Sequence, residues 1–326
     1  MTKQDKKLRE NIGNIAMKID LCCPYCKEKI QSNNKYYQCL NTKCFHSNKK
    51  GWFNSIQGKP ILISEYYCDT VFSSQDVRSR VKRRGNSSIK SKLNNMLFGY
   101  PHVTKRNCYK FINLLRKNEK SSKCLIIGSG EQGRGTEDLI NNNELSILGT
   151  DVYESDLVDV ISDAHYLPFE DESFDGVWIQ AVLEHVVDPQ IVVEEIFRVL
   201  KPDGVVYAET PFMQQVHEGK YDFTRFTILG HRYLFKRFKS IDIGGNKGAE
   251  IALTWSIKYF FWALTRSKHI GTLFSIPFAI ILRFIGKFVD NRSLFDASSG
   301  VYFLGIKSDD IISHKDLIEL YKGMQN

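Results

Sequence analysis

The amino-acid sequence predicts an α/β fold in which a doubly wound parallel sheet of seven strands follows a small cysteine-rich module. Three observations support this prediction. Apolar, β-branched runs alternate with stretches of helical periodicity from Lys123 onward. The apolar run 125–127 opens directly into a glycine-rich loop. Four cysteines are clustered upstream, between residues 23 and 44.

The predicted strands are short apolar runs that end at turn residues. They cover residues 124–128, 146–150, 158–162, 174–180, 205–210, 238–243 and 301–307. The helix before the fifth strand has the clearest periodicity, carried by Ile191, Val192, Ile196, Val199 and Leu200. Pro189 is predicted to lie near its start, and the run Lys-Pro-Asp-Gly at 201–204 is predicted to end it. A further helix is predicted over 103–115.

The 326 residues divide by composition into four regions. These are a polar leader at 1–18, the cysteine-rich module at 19–70, a basic linker with the first helix at 71–120, and the α/β domain at 121–326. The leader lacks the apolar run of a secretory signal, so a cytoplasmic, reducing location is expected. The net charge of +8 favours anionic partners but does not separate nucleic acid, anionic lipid and phosphorylated substrates. The basic run 78–84 is interpreted as solvated linker.

The clustered cysteines have the spacing of a metal site. Cys23, Cys26, Cys39 and Cys44 form the pattern C-x2-C-x12-C-x4-C. Four thiolates suit tetrahedral zinc, which stabilises modules that are too small for a core of their own. Four cysteines leave no open position for catalysis, so the zinc is expected to be structural. Cys22 and His46 are neighbouring alternatives that leave the ligand set open by one residue.

The module continues after the cysteines with the run GWFNSIQGKPILI at 51–63. Residues 20–70 resemble the small zinc-ribbon activator subunits of tRNA and protein methyltransferases, in which a comparable G-x-P-x-L segment follows the metal site. The resemblance implies that the module is a zinc ribbon.

A glycine-rich loop follows the first predicted strand of the large domain. Gly128, Gly130 and Gly133 let the backbone approach a ligand closely and open a helix whose amide groups face that ligand. Asp151 ends the next predicted strand, about 20 residues further on, where a carboxylate can bind ribose hydroxyls. This pattern alone serves dinucleotides as readily as other cofactors.

Motifs further along the chain distinguish between cofactors. Four of them follow in order: DAHYLPF at 163–169, SFD at 173–175, LEH at 183–185 and RVLKPDG at 198–204. They resemble the series D-A-x-x-L-P-F, S-F-D, L-E-H and R-V-L-K-P-G-G of class I S-adenosylmethionine-dependent methyltransferases. The similarity is to the type-11 group, which includes ubiquinone, menaquinone and polysaccharide-cluster enzymes. It spans 120–245 and implies a Rossmann-like sheet with S-adenosylmethionine as the cofactor.

The resemblance also implies roles for particular residues. The three glycines would hold the methionine and ribose portions of the cofactor, and Asp151 would hold the ribose. Asp163 and Ala164 would face the adenine, and Gln180 would approach the methionine end. The group often has an acidic residue two positions before the first glycine, where this chain has Ile126. A carboxylate contact to the amino group of the cofactor is therefore expected to be missing or supplied elsewhere.

A loop dense in polar residues follows the fifth predicted strand, at the sheet edge where substrates bind in this fold. HEGKYDFTRFT at 217–227 resembles the H-x-x-x-Y-D-x-x-R-x-T stretch of uncharacterised methyltransferases from polysaccharide gene clusters. His217 is the first candidate for the catalytic base that removes the acceptor's proton, and His185 is the second. Asp222 and Arg225 either bind the acceptor or pair with each other. The absence of an N-P-P-Y or D-P-P-Y string favours an oxygen or carbon acceptor.

An apolar helical insertion is predicted at 246–299, between the last two strands. Two helices, at 251–265 and 272–289, are rich in Phe, Trp, Ile and Leu but are interrupted by basic residues. Pro277 is predicted to open the second helix. The pair either packs on the domain as additional core or a dimer face, or lies in a membrane interface.

These features predict an enzyme that moves the methyl group of S-adenosylmethionine to a hydroxyl of a sugar or lipid-linked saccharide. The expected location is the cytoplasmic side of the membrane, with peripheral contact through 251–289. One alternative is an RNA methyltransferase, because a zinc ribbon before a catalytic domain also resembles the 23S rRNA guanine-N1 methyltransferases. No nucleic-acid motif beyond the ribbon supports that alternative. A second alternative is a non-catalytic binding or scaffold protein that kept the fold, which the Ile126 departure favours.

Overall fold

A computed structural model describes residues 21–33, 35–66, 68–73, 77, 95, 97–116 and 122–325. The predicted leader at 1–18 and the basic run at 78–84 lie outside the described residues. The predicted helix at 103–115 is present with nearly the expected bounds.

The described strands join into one sheet of eleven strands. They are β1 (Ile30–Asn33), β2 (Tyr36–Cys39), β3 (Phe53–Ile56), β4 (Lys59–Leu62), β5 (Lys123–Ile127), β6 (Ser146–Asp151), β7 (Val160–Ser162), β8 (Phe174–Gln180), β9 (Leu200–Pro211), β10 (Phe238–Lys247) and β11 (Gly300–Lys307). Their order across the sheet is β1-β2-β3-β4-β7-β6-β5-β8-β9-β11-β10.

Helices cover the faces of this sheet and form the insertion. Those described are α1 (His102–Leu115), α2 (Glu137–Ile140), α3 (Pro189–Val199), α4 (Ile228–Leu234), α5 (Ala249–Thr265), α6 (Lys268–Ile285), α7 (Ser293–Ala297) and α8 (His314–Ile318). Helix α3 begins as predicted, with Pro189 in its first turn and the Asp188 carboxylate accepting hydrogen bonds from the backbone of Gln190 and Ile191.

Strands β5 to β11 form the predicted seven-stranded α/β sheet. Strands β7, β6, β5, β8 and β9 are parallel neighbours, and β11 is antiparallel to both β9 and β10. The chain order reverses between β5 and β8, which creates a crevice at the carboxyl ends of these strands. The α/β fold class predicted from the sequence is therefore confirmed.

The cysteine-rich module continues the same sheet. Strands β1 to β4 form an antiparallel meander, and β4 then pairs in parallel with β7, with Leu62 opposite Ser162. Leu62 and Phe53 of the module share one buried cluster with Leu167 and Phe169 of the large domain. The module and the α/β domain therefore have a common core.

Strand β9 differs from its prediction at its beginning. It starts at Leu200, five residues before the predicted position, so the Lys-Pro-Asp-Gly run lies within the strand. The pairing with β8 shifts between Phe174–Leu200 and Gly176–Val205, and Asp203 has a φ of 60°. The additional residues of β9 between these two pairs form a bulge in the strand. A local sequence pattern does not distinguish such a bulge from a turn.

Helices α5 and α6 form an antiparallel hairpin with one packed face and one exposed face. The small residues Gly271, Ser275 and Ala279 are the buried residues of α6, while Leu273, Phe284 and Phe288 are 64%, 65% and 78% exposed. The outer face is therefore not additional core in this chain. Of the described helices, only the segment Lys268–Phe288 is long and apolar enough to cross a membrane, judged by length and composition alone.

Pro277 lies inside α6, so the prediction that it opens this helix is wrong. The helix begins nine residues earlier, at Lys268, after Ser267, whose hydroxyl accepts a hydrogen bond from the backbone of Ile270. This cap satisfies a free amide at the helix start, and the interior proline removes only one backbone hydrogen bond.

Candidate active site

A cavity of about 430 Å³ lies at the crevice between the carboxyl ends of β5, β6 and β8. Every residue predicted to bind the cofactor lines it, and so do both candidate bases. These residues are Gly128, Gly130, Gly133, Asp151, Asp163, Ala164, Gln180, His185 and His217. The structure therefore brings the two groups of predicted site residues into one space, although their roles stay predictions.

The glycine loop needs its glycines for close approach. Gly128 has a φ of 78°, and a Cβ there would lie 2.1 Å from the Val182 side chain. The backbone N–H of Gly130 donates to Asp151 Oδ2 at 2.8 Å, and a Cβ on Gly130 would lie 2.7 Å from the same oxygen. Asp151 Oδ1 accepts a second hydrogen bond from the backbone of Tyr153 at 3.1 Å. The Asp151 carboxylate is thus fixed at the strand end before any ligand binds.

Asp163 is a buried carboxylate held on several sides. Its Oδ1 accepts hydrogen bonds from the His165 backbone at 2.9 Å and from His165 Nδ1 at 2.6 Å. The Thr70 hydroxyl donates to its other oxygen. Burial opposes ionisation, but the hydrogen bonds from His165 and Thr70 outweigh it and lower the pKa of Asp163. Because Thr70 is the last residue of the cysteine-rich module, the end of the module contacts a residue that lines the cavity.

The chain turns sharply where β8 ends in the cavity. Ala181 has a φ of 54°, an uncommon left-handed conformation for a residue with a side chain. Its backbone N–H donates to the carbonyl of Glu209 at 2.8 Å, which anchors the turn to β9. Gln180, just before it, donates through Nε2 to the carbonyl of Arg134 at 3.3 Å. The turn therefore connects β8 to the glycine loop and to β9.

Glu209 is a cavity carboxylate that the sequence predictions did not include. Its oxygens accept hydrogen bonds from Thr104 at 2.7 Å, from Tyr207 at 2.6 Å and from Asn246 at 3.0 Å. Ile126, by contrast, packs against an apolar cluster of α1, β5, β8 and β9 and is not among the residues that line the cavity. A carboxylate near Gln180 is therefore present, but it comes from β9. Glu209 could have been identified from the sequence, because it is an acidic residue near the end of the strand predicted at 205–210.

A lysine and an arginine stand near this carboxylate. Lys247 and Arg134 both line the cavity, and burial together with Arg134 lowers the pKa of Lys247 to about 8. Arg134 donates to the Gly99 carbonyl at 2.7 Å. This end of the cavity therefore has a carboxylate and two basic side chains. Such a pair of opposite charges suits a ligand with an amino acid group, which carries both an ammonium and a carboxylate.

The two candidate bases are in contact. The Nε2 atoms of His185 and His217 are 3.2 Å apart. His185 Nδ1 lies 2.7 Å from the Tyr221 carbonyl, and His217 Nδ1 lies 3.2 Å from Asp222 Oδ2. Burial and the neighbouring His185 lower the pKa of His217. A ring that is neutral near physiological pH can accept a proton.

Glu184 lies beneath the histidine pair, and the sequence predictions also missed it. Its side chain is fully buried, and burial raises the pKa of its carboxyl to about 8. Its Oε1 lies 3.6 Å from His185 Nε2 and 3.9 Å from His217 Nε2. Glu184 is the second residue of the LEH motif at 183–185, but the motif alone does not show where its side chain lies in the fold.

The loop that carries His217 is held by an internal ion pair and by the helical insertion. Arg225 pairs with Asp222 rather than with the open cavity, with Nη2 and Oδ2 2.8 Å apart. Of the two roles predicted for Arg225, the structure shows this pairing. The Tyr259 hydroxyl of α5 donates to the carbonyl of Val216 at 2.6 Å, next to His217. The insertion thus supports the histidine loop directly.

The four predicted metal ligands also come together, near the edge strands β1 and β2 of the sheet. The Sγ atoms of Cys23 and Cys44 are 3.9 Å apart, those of Cys26 and Cys39 are 3.4 Å apart, and all four lie within 4.8 Å of one another. His46 is not part of this group, because its Nδ1 contacts the Gly51 carbonyl and its Nε2 contacts the Ser64 hydroxyl, each at 2.6 Å. Cys22 also lies outside the group.

The comparison with known protein families covers the central part of this site. Residues 125–208 match the family described as a methyltransferase domain. The chain therefore carries a methyltransferase domain. The match begins in β5 and ends in β9, so it includes the glycine loop, Asp151, Gln180 and His185. The predicted resemblance to class I methyltransferases is confirmed for this domain.

Two curated relatives are similar to part of this chain. A ubiquinone/menaquinone biosynthesis C-methyltransferase of Saccharophagus degradans is 39% identical over 70 residues, which is 21% of this chain and 28% of the relative. A demethylmenaquinone methyltransferase of Clavibacter sepedonicus is 47% identical over 63 residues, which is 18% of this chain and 26% of the relative. The chain thus spans little more than a quarter of the length of either relative.

Solved structures give a more distant similarity. Phosphoethanolamine N-methyltransferase 2 of Haemonchus contortus, in complex with S-adenosylmethionine, has a TM-score of 0.42 and 15% identity. The similarity covers 68% of this chain and 57% of that one.

Proposed function

We propose that this protein is an S-adenosylmethionine-dependent methyltransferase that acts on a small-molecule acceptor held against His185 and His217. One observation carries the proposal: a single cavity joins the glycine loop and Asp151 to the histidine pair. The residues fit the cofactor, because the loop has no room for a Cβ at Gly128 or Gly130 and the Asp151 carboxylate is already in place. Glu209 and Lys247 offer opposite charges for its amino acid end.

The chain contributes alignment and proton removal. When bound, S-adenosylmethionine supplies an electrophilic methyl group and a leaving thioether that departs uncharged. The glycine loop and Asp151 would hold the cofactor at one end of the cavity. An acceptor bound at the histidine pair could then be aligned with the methyl group of the cofactor. His217 Nδ1 lies 3.2 Å from Asp222 Oδ2, so Nε2 is the ring atom that can accept a hydroxyl proton. His217 is therefore the first candidate base.

The acceptor we favour is a hydroxyl of a sugar or a lipid-linked saccharide. Its support is the polar histidine loop and the exposed apolar face of the α5–α6 hairpin beside that loop. A quinone ring carbon is the second candidate, because both curated relatives are named for ubiquinone or menaquinone synthesis. Each of these matches covers no more than 70 residues of this chain.

Methyl transfer from labelled S-adenosylmethionine to separate acceptor fractions tests this choice. We expect label in a lipid-linked saccharide fraction and none in demethylmenaquinol or total RNA. Label in demethylmenaquinol would replace the favoured acceptor with the quinone, and label in RNA would support the alternative drawn from the zinc ribbon.

We propose that the four cysteines hold one structural zinc ion. Tetrahedral zinc with Zn–S bonds of about 2.3 Å places its sulfurs about 3.8 Å apart. The measured separations of 3.9 and 3.4 Å are close to that value. The ion would cross-link two turns of a module whose strands are only four residues long.

Asp151→Ala is expected to weaken S-adenosylhomocysteine binding by about 1–3 kcal/mol. The substitution removes the predicted ribose contact and also frees the backbone N–H groups of Gly130 and Tyr153. Titration calorimetry measures the change, with Asp156→Ala as the control because Asp156 is an exposed carboxylate outside the cavity. Binding of NAD in place of S-adenosylhomocysteine would refute the cofactor assignment.

We also propose that the exposed apolar face of the α5–α6 hairpin contacts a membrane. Phe284→Glu together with Phe288→Glu is expected to abolish co-sedimentation with anionic phospholipid vesicles, because both rings are more than half exposed. Ile318→Glu is the matched control, since Ile318 is 64% exposed but belongs to α8 and not to the hairpin. Equal sedimentation of all three proteins would reject the contact.

A further inference from the structure

Three metal-ligating side chains converge at the acceptor end of the cavity. They are Glu184, His185 and His217, and their ligating atoms lie within 4.8 Å of one another. They come from the turn after β8 and from the loop after β9, which Phe223 joins by donating its backbone N–H to the Glu184 carbonyl at 2.8 Å. The cluster is separate from the four cysteines.

The acceptors next to the two imidazoles indicate which nitrogen of each ring carries a proton. A backbone carbonyl can only accept, so His185 Nδ1, 2.7 Å from the Tyr221 carbonyl, is the protonated nitrogen. An ionised carboxylate can also only accept, and Asp222 Oδ2 lies 3.2 Å from His217 Nδ1, so Nδ1 is the ring nitrogen placed to carry the proton. In two neutral rings, both Nε2 atoms then carry lone pairs, and these atoms face each other at 3.2 Å. Such a contact is repulsive unless a proton or a metal cation lies between the two atoms.

The environment of Glu184 independently indicates a cation at this cluster. Its side chain has no solvent exposure, and neither carboxylate oxygen has a hydrogen-bond partner among the described residues. A buried carboxyl group without partners is costly, and buried carboxylates are usually paired or bound to metal. The oxygen nearest the rings is Oε1, at 3.6 and 3.9 Å from the two Nε2 atoms.

The three distances define a site of the right size. Atoms separated by 3.2, 3.6 and 3.9 Å lie on a circle with a radius of about 2.1 Å, which matches metal–imidazole and metal–carboxylate distances. We propose that Glu184, His185 and His217 bind a first-row divalent transition-metal cation. Two imidazoles and one carboxylate suit such ions better than Mg²⁺ or Ca²⁺, which prefer oxygen ligands alone. Tyr221 and Asp222 would orient the two rings.

This site deepens the proposed function and rests on it for the position of the acceptor. Three protein ligands leave coordination positions for an acceptor hydroxyl, or for two adjacent hydroxyls. The cation would lower the pKa of the bound hydroxyl, whose proton passes to water. The oxygen then forms its bond to the methyl carbon, and the carbon–sulfur bond breaks with its electron pair on sulfur. In the loaded protein, His217 is a ligand rather than the base.

Titration with Mn²⁺ tests the site without any acceptor. Mn²⁺ is the probe because thiolates bind it poorly, so the cysteine site does not compete. Electron paramagnetic resonance follows free Mn²⁺ as it is added to the zinc-containing full chain. We expect one bound Mn²⁺ per chain, and binding at least about tenfold weaker in Glu184→Gln and in His217→Ala. Glu218→Gln is the matched control, because it removes a carboxylate next to His217 that is outside the cluster.

Folding and cofactor binding are measured on the same samples. Glu184 is buried, so Glu184→Gln requires an unchanged melting profile, while His217, at 26% exposed, provides a second variant less dependent on packing. No Mn²⁺ binding, or equal binding in all variants, overturns the metal site and leaves the contact as a hydrogen bond within a protonated pair. Mn²⁺ binding without S-adenosylhomocysteine binding would instead support the metal site and contradict the proposed function.

Discussion

Cys39→Ser is expected to unfold the cysteine-rich module and to weaken S-adenosylhomocysteine binding as well. Cys39 is fully buried in the core that the module shares with the α/β domain. Loss of structural zinc removes folding free energy on the order of 10–16 kcal/mol. The damage should extend further, because β4 pairs with β7 and Thr70 bonds Asp163 in the cavity.

Hydrogen exchange with mass spectrometry, together with zinc analysis, measures this effect. Faster exchange is expected in β1 to β4 and also in β7, with less than one zinc per chain. Cys68→Ser is the matched control, since Cys68 is also buried in this region but lies outside the cluster. Full zinc content and unchanged exchange in Cys39→Ser would mean that the cysteines are merely buried.

His217→Ala is expected to lower methyl transfer by about 10²- to 10⁴-fold, while S-adenosylhomocysteine affinity changes little. The ring lies at the acceptor end of the cavity, and Asp222 holds it in place. Turnover with labelled S-adenosylmethionine and calorimetry on the same protein separate the two quantities. Near-normal turnover would show that alignment alone suffices or that another group takes the proton.

His185→Ala shows which role His217 has. If His217 is the base, His185→Ala should keep most of its activity. If both rings bind a cation, the two variants should lose activity to a similar extent and should also lose Mn²⁺ binding. Collapse in His185→Ala with normal activity in His217→Ala would reverse the order of the two candidates.

The pH dependence has a defined sign if His217 is the base. Burial and His185 lower the pKa of His217 below its ordinary value of about 6.5, so the neutral ring persists to lower pH. Activity on the acid side should therefore fall only below that ordinary value. Removing His185 takes away one of the lowering influences, so the acid limb of the kcat/KM profile should move to higher pH.

Features encoded within short windows of the sequence were predictable. The seven strands, helix α3 and the glycine loop each depend on a local pattern, and Asp151 follows from its position at a strand end. Gly130 and Asp151 could therefore be expected near each other before their 2.8 Å contact was seen.

Long-range pairing and side-chain direction were not predictable in the same way. No local pattern marks β4 as the parallel neighbour of β7, since almost a hundred residues separate them. Glu184 and Glu209 were visible in the sequence only as a letter of a motif and a residue at a strand end. The fold shows that Glu209 lines the cavity and that Glu184 lies against the histidine pair. Pro277 was misplaced because a local rule for helix starts does not see the better cap at Ser267.

The pairing of β4 with β7 has a consequence for how this protein depends on concentration. Activator subunits that resemble the module are separate chains, so they must associate with their methyltransferase and can be lost on dilution. Here the two partners belong to one polypeptide, and the module is present at an effective concentration on the order of millimolar. The sheet edge at β7 therefore stays covered at any protein concentration, in fixed one-to-one stoichiometry.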